Sequence, residues 1–269
     1  MKILIIGGGN MGSTYARSFL RSHIADKERM MILERAPEKA EALRQLDIGE
    51  VFSEPEACVP QADLIILAVK PQDAPTLFGR IRTIVDPQQV FLSIMAGVRI
   101  RTIAEGLGVQ KIIRAMPNLP AQIGQGMTVF TSSDQVTRIE LVTVQNLLNT
   151  TGKTLYVENE DFLDAATAVS GSGPAYVWFF MQAMYEAARQ MGFSVPEAEL
   201  LVYQTFRGAV DLYNKADHSF EEWIQRVASK GGTTEAALRT YESSALADHI
   251  KEGLQAALQR AIELGKSDG

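Results

Sequence analysis

The chain has 269 residues, 46% of them hydrophobic, and a net charge of −6. This length fits one large domain or two ordinary ones, and the composition is that of a packed protein rather than a disordered one. Because no block of basic residues is present, nucleic acid and anionic membranes are not expected partners. The single cysteine, Cys58, excludes an internal disulfide framework and fits a reducing compartment, so we expect a cytoplasmic location.

The first dozen residues predict a dinucleotide-binding turn. Lys2–Ile6 is a short apolar run typical of a buried strand, and a G-x-G-x-x-G motif and a helical pattern follow it. In such a motif Gly7 allows the tight turn, Gly9 admits a pyrophosphate to the backbone, and Gly12 lets the helix pack closely. The alternative is a glycine-rich turn that binds nothing. The cofactor-binding residues predicted here are Gly7, Gly9, Asn10, Met11 and Gly12.

The end of the next strand bears on cofactor choice. Arg29–Leu33 is predicted as a strand that runs into Glu34 and Arg35. An acid about 20 residues past the glycines holds a ribose 2′-hydroxyl in NAD sites, whereas an arginine pairs with the 2′-phosphate of NADP. The two residues argue opposite ways, and a solvated strand end is the third alternative. We expect NADPH to be preferred, with NADH as the alternative.

Two further strands should bring their carboxyl ends to the same edge. Ala62–Val69 ends in Lys70 and Pro71, and Gln89–Ile94 ends in the small residues of Met95–Val98. Ligands of open α/β sheets bind at this edge, and small residues there would let a flat nicotinamide ring lie against backbone. The cofactor-binding residues predicted from these ends are Ala68, Val69, Lys70, Pro71, Ala96 and Gly97.

The order of elements predicts an α/β fold: an N-terminal Rossmann-like doubly wound sheet followed by an all-helical dimerisation domain. Strands alternating with helices indicate a parallel sheet covered on both faces. The β signal continues through Thr154–Val157 and stops at about Asn159. We therefore predict a dinucleotide-binding domain at 1–158 and a helical domain at 159–269. The later predicted elements are strands 110–114, 127–131 and 154–157 and helices 134–149, 160–169, 174–191, 196–214, 220–228, 233–241 and 245–264.

One uncharged stretch, 165–185, has a membrane-like composition. Ser170–Pro174 interrupts it and leaves only Ala175–Tyr185 as an apolar helix, which is too short to span a bilayer. An apolar helix of this kind is buried in a core or between subunits. Together with the amphipathic last helix, it predicts a homodimer through the helical half and leaves a higher oligomer of dimers open.

Two glycine-rich stretches of the helical half are candidates for binding. Ser170–Pro174 opens the apolar helix, and Ser229–Glu235 opens a later one. A threonine followed by an acidic residue in the first turn is also common at helix starts that have no binding role. The Gly231–Gly232 pair adds N–H groups that no side chain covers, which suits a carboxylate. No H-x-x-x-H or C-x-x-C spacing indicates a metal site.

Taken in order, four motifs cover essentially the whole chain and together resemble the pyrroline-5-carboxylate reductase family. They are Gly7–Gly12, Ala68–Pro71, Ser170–Tyr176 and Ser229–Thr234. The resemblance implies reduction of 1-pyrroline-5-carboxylate to proline with NADPH or NADH, and pairing through the helical half. It further implies that one chain's Rossmann half meets the loop Gly231–Thr234 of its partner.

The resemblance also implies roles in catalysis and substrate binding. Backbone N–H groups of the glycine loop would hold the substrate carboxylate, and the Thr234 hydroxyl would reach the ring nitrogen. Glu160 would lie near the site and favour the iminium charge, unless it is a plain helix acid. The chain departs from many relatives at Lys230, where they have proline, and at Glu34, where they have a small polar residue. The substrate-binding residues predicted are Ser229, Gly231, Gly232, Thr233 and Thr234.

Two alternatives remain open from sequence. A β-hydroxyacid dehydrogenase would need a catalytic lysine in the helical half, where Lys215, Lys230 and Lys251 are available. A cofactor-sensing binding protein would bind NADP(H) without turnover and would not need the backbone N–H groups of Gly231–Thr234.

Overall fold

A computed structural model describes residues 1–215 and 217–266, except for the side chain of residue 266. Two compact units make up the chain. Unit 1 contains Met1–Ser172 and the residues from Ala257 onward, and unit 2 contains Gly173–Ala256. The domain limits 1–158 and 159–269 stay a prediction.

Unit 1 is built on one eight-stranded sheet within the described residues, in the order β3-β2-β1-β4-β5-β6-β7-β8. Its strands are β1 (Ile3–Ile6), β2 (Met30–Leu33), β3 (Glu50–Phe52), β4 (Leu64–Leu67), β5 (Val90–Ser93), β6 (Ile112–Met116), β7 (Gly126–Ser132) and β8 (Gly152–Tyr156). The predicted Rossmann-like fold is confirmed. Strand β3 was not among the predicted elements, because it has only three residues, of which none is buried.

The sheet is mixed rather than wholly parallel. Strands β1 to β6 pair in parallel, whereas β7 pairs antiparallel to β6 and parallel to β8. The connection between β6 and β7 is a loop with a short 3₁₀ turn at Leu119–Ile123. Because a parallel crossover needs a dozen or more residues, this short link reverses the chain direction.

Helices cover the sheet of unit 1 on both faces. They are α1 (Asn10–Arg21), α2 (Pro37–Gln45), α3 (Ala74–Ile81), α4 (Ile100–Leu107), α5 (Arg138–Asn149) and α6 (Phe162–Ala166). Alternate side chains of β1 enter different apolar clusters: Ile3 and Ile5 one, Leu4 and Ile6 the other. This alternation follows from the two-residue period of a strand. The sheet therefore has a separate core on each face.

Local sequence sets several helix starts. Thr137 precedes α5, and its hydroxyl accepts from the N–H of Glu140, whose carboxylate accepts from the N–H of Thr137. Such a reciprocal cap satisfies two helix-end donors. The same arrangement, made by Ser219 and Glu222, opens α9.

The remaining helices follow the sheet. They are α7 (Gly173–Gln190), α8 (Val195–Tyr213), α9 (Phe220–Val227), α10 (Thr233–Ser243) and α11 (Leu246–Lys266). Where one helix was predicted over 160–169, α6 is followed by a π-helical turn at Thr167–Gly171. Such turns occur often at functional sites.

Candidate active site

The glycine turn after β1 has the geometry that the motif predicts. Gly7 has a φ of +105°, and a Cβ there would lie 2.7 Å from the Ala68 carbonyl oxygen. At Gly12 a Cβ would lie 2.1 Å from the Gly7 oxygen, so neither position tolerates a side chain. A Cβ at Gly9 would meet no atom within 4 Å, which leaves room for a ligand against this backbone.

Gly9 caps α1, so the N–H groups of Asn10 and Met11 begin the helix. The first N–H groups of a helix have no partner inside it and lie at the positive end of the helix dipole. This turn is therefore a preformed site for a phosphate group.

A cleft of about 340 Å³ opens beside the turn at the carboxyl ends of β1, β2 and β4. Of the predicted cofactor residues, those that line it are Gly7, Gly9, Glu34, Arg35, Ala68, Val69 and Lys70. Sequence reasoning missed the lining residues Ile6, Leu33, Ala36, Lys39, Ser53, Pro55, Asp73, Thr76, Leu77 and Arg80. Ser53 and Pro55 follow β3, so predicting them as lining residues would have required predicting that strand from the sequence.

Glu34 and Arg35 have different environments in this cleft. The Glu34 carboxylate accepts hydrogen bonds from the N–H groups of Gly8 (3.2 Å) and Ala36 (3.0 Å). The Arg35 guanidinium is exposed and donates to Asp73 at 3.2 Å. The acid is thus fixed on backbone, and the arginine has a carboxylate partner on the cleft wall.

The turn after β5 lies against the end of the last helix. Gly97 has a φ of +79°, and a Cβ there would lie 3.3 Å from the Gly265 backbone nitrogen. A side chain at position 97 would therefore be strained, and the Gly97 backbone is buried against the end of α11. Neither Ala96 nor Gly97 lines the cleft beside the glycine turn.

A charge cluster supports this turn from within unit 1. Arg114 on β6 is 2% exposed and donates to Glu160 (2.9 Å) and Asp164 (3.2 Å). Arg99, the residue before α4, donates to Asp164 (3.0 Å) and Asp161 (2.8 Å). The hydrogen bond to Asp161 holds the pKa of the Arg99 guanidinium above its usual range.

Glu160 connects this cluster to the start of α4. Its Oε1 accepts from Arg114 and also from the Ile100 N–H at 2.9 Å, which is the start of α4. Apart from Glu160, sequence reasoning missed the cluster, because its partners lie 46 to 65 positions apart along the chain.

Asn118 joins two loops at the same edge of unit 1. Its side-chain nitrogen donates to the Ser170 oxygen in the π-helical turn (2.9 Å), and its oxygen accepts from the Met127 N–H (2.8 Å). The glycine-rich stretch at Ser170 is therefore anchored to the loop after β6.

The loop Ser229–Thr234 belongs to unit 2 and leads into α10. Gly231 has a φ of +75°, and its N–H donates to the Glu235 carboxylate at 2.6 Å. The Gly232 N–H donates to the Ser229 oxygen at 3.0 Å, and a Cβ on Gly232 would lie 2.7 Å from the Ser229 hydroxyl. Both glycines of the predicted carboxylate site therefore have N–H groups that are already bound, one to Ser229 in the loop and one to Glu235 in α10.

Thr233 and Thr234 are the first residues of α10. Their N–H groups have no partner inside the helix and point to its N-terminal side. These two donors, with the Thr234 hydroxyl beside them, are the part of the loop that suits an external carboxylate. Glu235, which caps Gly231, also pairs with Arg239 at 3.0 Å.

Over residues 1–215 and 217–266, no group of three or more His, Cys, Asp or Glu side chains could hold a metal ion. Nor does any helix in those ranges have the length and apolar character needed to cross a membrane.

Comparisons with known proteins agree over the full length. Residues 160–264 match the family described as pyrroline-5-carboxylate reductase dimerisation, and residues 2–97 match that of coenzyme F420-dependent NADP oxidoreductases. The chain is 32% identical to pyrroline-5-carboxylate reductase of Pseudomonas aeruginosa, over 100% of this chain and 98% of that protein. It is 33% identical to pyrroline-5-carboxylate reductase 2 of Bacillus subtilis, over 98% and 95%.

Solved structures show the same similarity. A pyrroline-5-carboxylate reductase from Coxiella burnetii aligns with a TM-score of 0.90 and 31% identity over 98% of both chains. The Plasmodium falciparum pyrroline carboxylate reductase with NADP bound aligns with a TM-score of 0.89 and 26% identity, over 99% of this chain and 98% of that one.

Proposed function

The chain belongs to the pyrroline-5-carboxylate reductase family, and on that premise we propose how its residues carry out the reaction. The protein is an NAD(P)H-dependent oxidoreductase that reduces the C=N bond of 1-pyrroline-5-carboxylate to give L-proline, the last step of proline biosynthesis. The observation that carries this conclusion is the full-length similarity, at about one third identity, to reductases of this one activity.

The residues of the glycine turn fit a dinucleotide. Gly7 and Gly12 permit the close turn, and the open space at Gly9 lies beside the first N–H groups of α1. We propose that the Asn10 and Met11 N–H groups bind the pyrophosphate. NADPH is the expected cofactor, with NADH as the alternative.

The nicotinamide end would lie farther along the sheet edge. Val69, Lys70 and Pro71 follow β4, and Ala96 and Gly97 follow β5, the next strand of the sheet. We propose that these turns support the ring. Bound NAD(P)H supplies the hydride that reduces the imine carbon.

The substrate is a cyclic imine that carries a carboxylate. We propose that the Thr233 and Thr234 N–H groups bind this carboxylate and that the Thr234 hydroxyl contacts the ring nitrogen. Ser229, Gly231 and Gly232 hold the loop in shape through the contacts described above. Because a protonated imine already accepts a hydride readily, the reaction does not require a strong catalytic base from the chain.

Glu160 has contacts that support positioning. Its carboxylate joins buried Arg114 to the start of α4, which follows the turn at Ala96 and Gly97. We therefore propose that Glu160 positions this turn, while its influence on the iminium charge stays a prediction.

The helical half is proposed to pair two chains. The match to a dimerisation family supports oligomerisation. We propose a homodimer in which each site combines the glycine turn of one chain with the loop Ser229–Thr234 of the other. A higher oligomer of dimers and a cytoplasmic location stay predictions.

The direct test adds 1-pyrroline-5-carboxylate to the protein and NADPH and follows the NADPH absorbance. We expect the absorbance to fall and one molecule of proline to form for each molecule of NADPH oxidised. A protein that binds NADPH but leaves the imine unchanged would fit the cofactor-sensing alternative instead. Reduction of NADP⁺ by a β-hydroxyacid would support the dehydrogenase alternative.

A further inference from the structure

Resting on the proposed function, we propose that the Glu34 carboxylate shifts the cofactor preference of this chain toward NADH. This carboxylate would accept a hydrogen bond from the adenosine ribose of NADH and would oppose the 2′-phosphate of NADPH. Glu34 thereby makes NADH a usable cofactor, while Arg35 acts in the opposite direction.

The carboxylate is built into the cleft. Strand β2 pairs in parallel with β1, with Leu33 opposite Ile6, so that Glu34 follows beside Gly7. The Gly7 N–H donates to the Leu33 oxygen at 3.0 Å and ties the two strand ends together. Both oxygens of Glu34 are then held by backbone, one by Gly8 and one by Ala36. These two hydrogen bonds hold the Glu34 carboxylate in one position at the edge of the cleft.

A fixed carboxylate at this place discriminates between the two cofactors. It accepts hydrogen bonds from a ribose diol, as acids at this strand end do in NAD sites. It also occupies two backbone N–H groups of the kind that bind phosphate oxygens. A 2′-phosphate would meet a like charge on the wall of a partly enclosed cleft, where electrostatic interactions are stronger than in bulk water.

The cations of the cleft offset this effect in part. Arg35 is bound to Asp73, and Arg80 is bound to Glu54 at 2.8 Å. For Arg35 to bind a 2′-phosphate, it would have to exchange the Asp73 carboxylate for the phosphate. Lys39 and Lys70 also line the cleft, so the balance between NADPH and NADH depends on Glu34 acting against these cations, of which Arg35 is its neighbour in the chain.

The test compares Glu34→Gln with wild type by two measurements. The first is the ratio of kcat/KM with NADPH to kcat/KM with NADH, using 1-pyrroline-5-carboxylate as substrate. The second is calorimetric affinity for ADP-ribose and for its 2′-phosphate, which involves no turnover. Removing one like charge at close range is expected to raise both ratios in favour of the phosphate form by about tenfold.

Matched variants separate the site from the general field. Glu38→Gln removes the same charge from the first turn of α2, outside the cleft lining, and should leave both ratios unchanged. Arg35→Ala should lower both ratios. Glu34→Ser measures the same quantity, so the proposal is tested even where Glu34→Gln misfolds.

The proposal is overturned when folded Glu34 variants leave the ratios unchanged or lower them, or when Glu38→Gln raises them equally. Failure of the proposed function gives a different result. In that case neither cofactor is oxidised by the imine, while the binding ratio for the two ADP-ribose forms still shifts in the Glu34 variants.

Discussion

The two units differ in how they bury their apolar residues. In unit 1 every residue of β1 and β4 is buried, between two apolar clusters that lie on opposite faces of the sheet. In unit 2 α7 buries no residue, and Phe179 and Trp178 are 70% and 53% exposed. Unit 1 therefore completes its own core, whereas the aromatic face of α7 lacks cover within the described part of the chain.

This difference bears on the chemistry. The glycine turn lies in a unit whose core is complete. The loop Ser229–Thr234 lies in a unit with a wide apolar surface, including a groove of about 270 Å³ between α7 and α11. Exposed patches of this kind mark interaction sites. The exposed aromatic face of unit 2 therefore supports the proposed homodimer, in which another chain would cover it.

The largest effect is expected from an acidic residue placed on the exposed aromatic face of α7. Phe179→Glu should abolish assembly and activity, because a charge buried at an interface without a partner is very unfavourable. Sedimentation should then show a single chain of 29.5 kDa that still binds ADP-ribose through unit 1. The matched change Ile139→Glu, at an 80% exposed residue of α5, should leave assembly unchanged. A Phe179→Glu protein that remains assembled and active would refute the proposed interface.

A mixing experiment tests whether the units of different chains share one site. Gly9→Glu and Thr234→Phe should each inactivate the enzyme, one at the cofactor turn and one at the loop. When the two are refolded together, random pairing makes half the dimers mixed with one intact site in two, so about a quarter of wild-type activity should return. If each chain builds its own site, the mixture stays as inactive as its parents.

Within unit 1, the charge cluster should be the point most sensitive to substitution. Arg114→Ala leaves two carboxylates without their buried partner and should lower the free energy of unfolding by about 3–5 kcal/mol. Urea unfolding measures this loss. Arg101→Ala removes an exposed pair with Glu105 and should change stability little. Equal losses in both variants would mean that the cluster has no special role.

Thr234 tests the substrate loop of unit 2. Thr234→Ala should keep the fold and NADPH binding but lose one hydrogen bond to a charged group, worth about 1.5–3 kcal/mol or roughly 10- to 150-fold in kcat/KM. Thr234→Ser retains the hydroxyl and should be milder. If the steady-state kinetics of Thr234→Ala equal those of wild type, Thr234 only begins the helix and does not bind the substrate.

The smallest effect concerns the link between α10 and α11. Ala245 has a φ of +52°, which costs an alanine about 1–2 kcal/mol. Ala245→Gly should therefore raise the melting temperature of the protein. His23 in unit 1 has a φ of +55°, but histidine tolerates this region better, so His23→Gly should give less. A larger gain at His23 would contradict the strain assigned to Ala245.

How far the sequence could predict the site varied with the range of the interactions. The glycine turn was predictable because Gly7, Gly9 and Gly12 act through local backbone geometry. The loop before α10 was predictable as a helix start for the same reason. That the Glu235 carboxylate takes the Gly231 N–H was not foreseen, because an acid in a first turn indicates a cap but not which donor it meets.

The sequence by itself determined the order of strands and helices apart from β3, the cofactor motif and the family, since each follows from short-range patterns and motif spacing. Only the tertiary structure decided that β7 runs antiparallel to β6 and that the Glu34 carboxylate is held by the Gly8 N–H. It also decided that Arg114 lies buried against Glu160. These contacts join residues far apart in the chain, and burial and pairing of charge are properties of the folded neighbourhood, which no local pattern specifies.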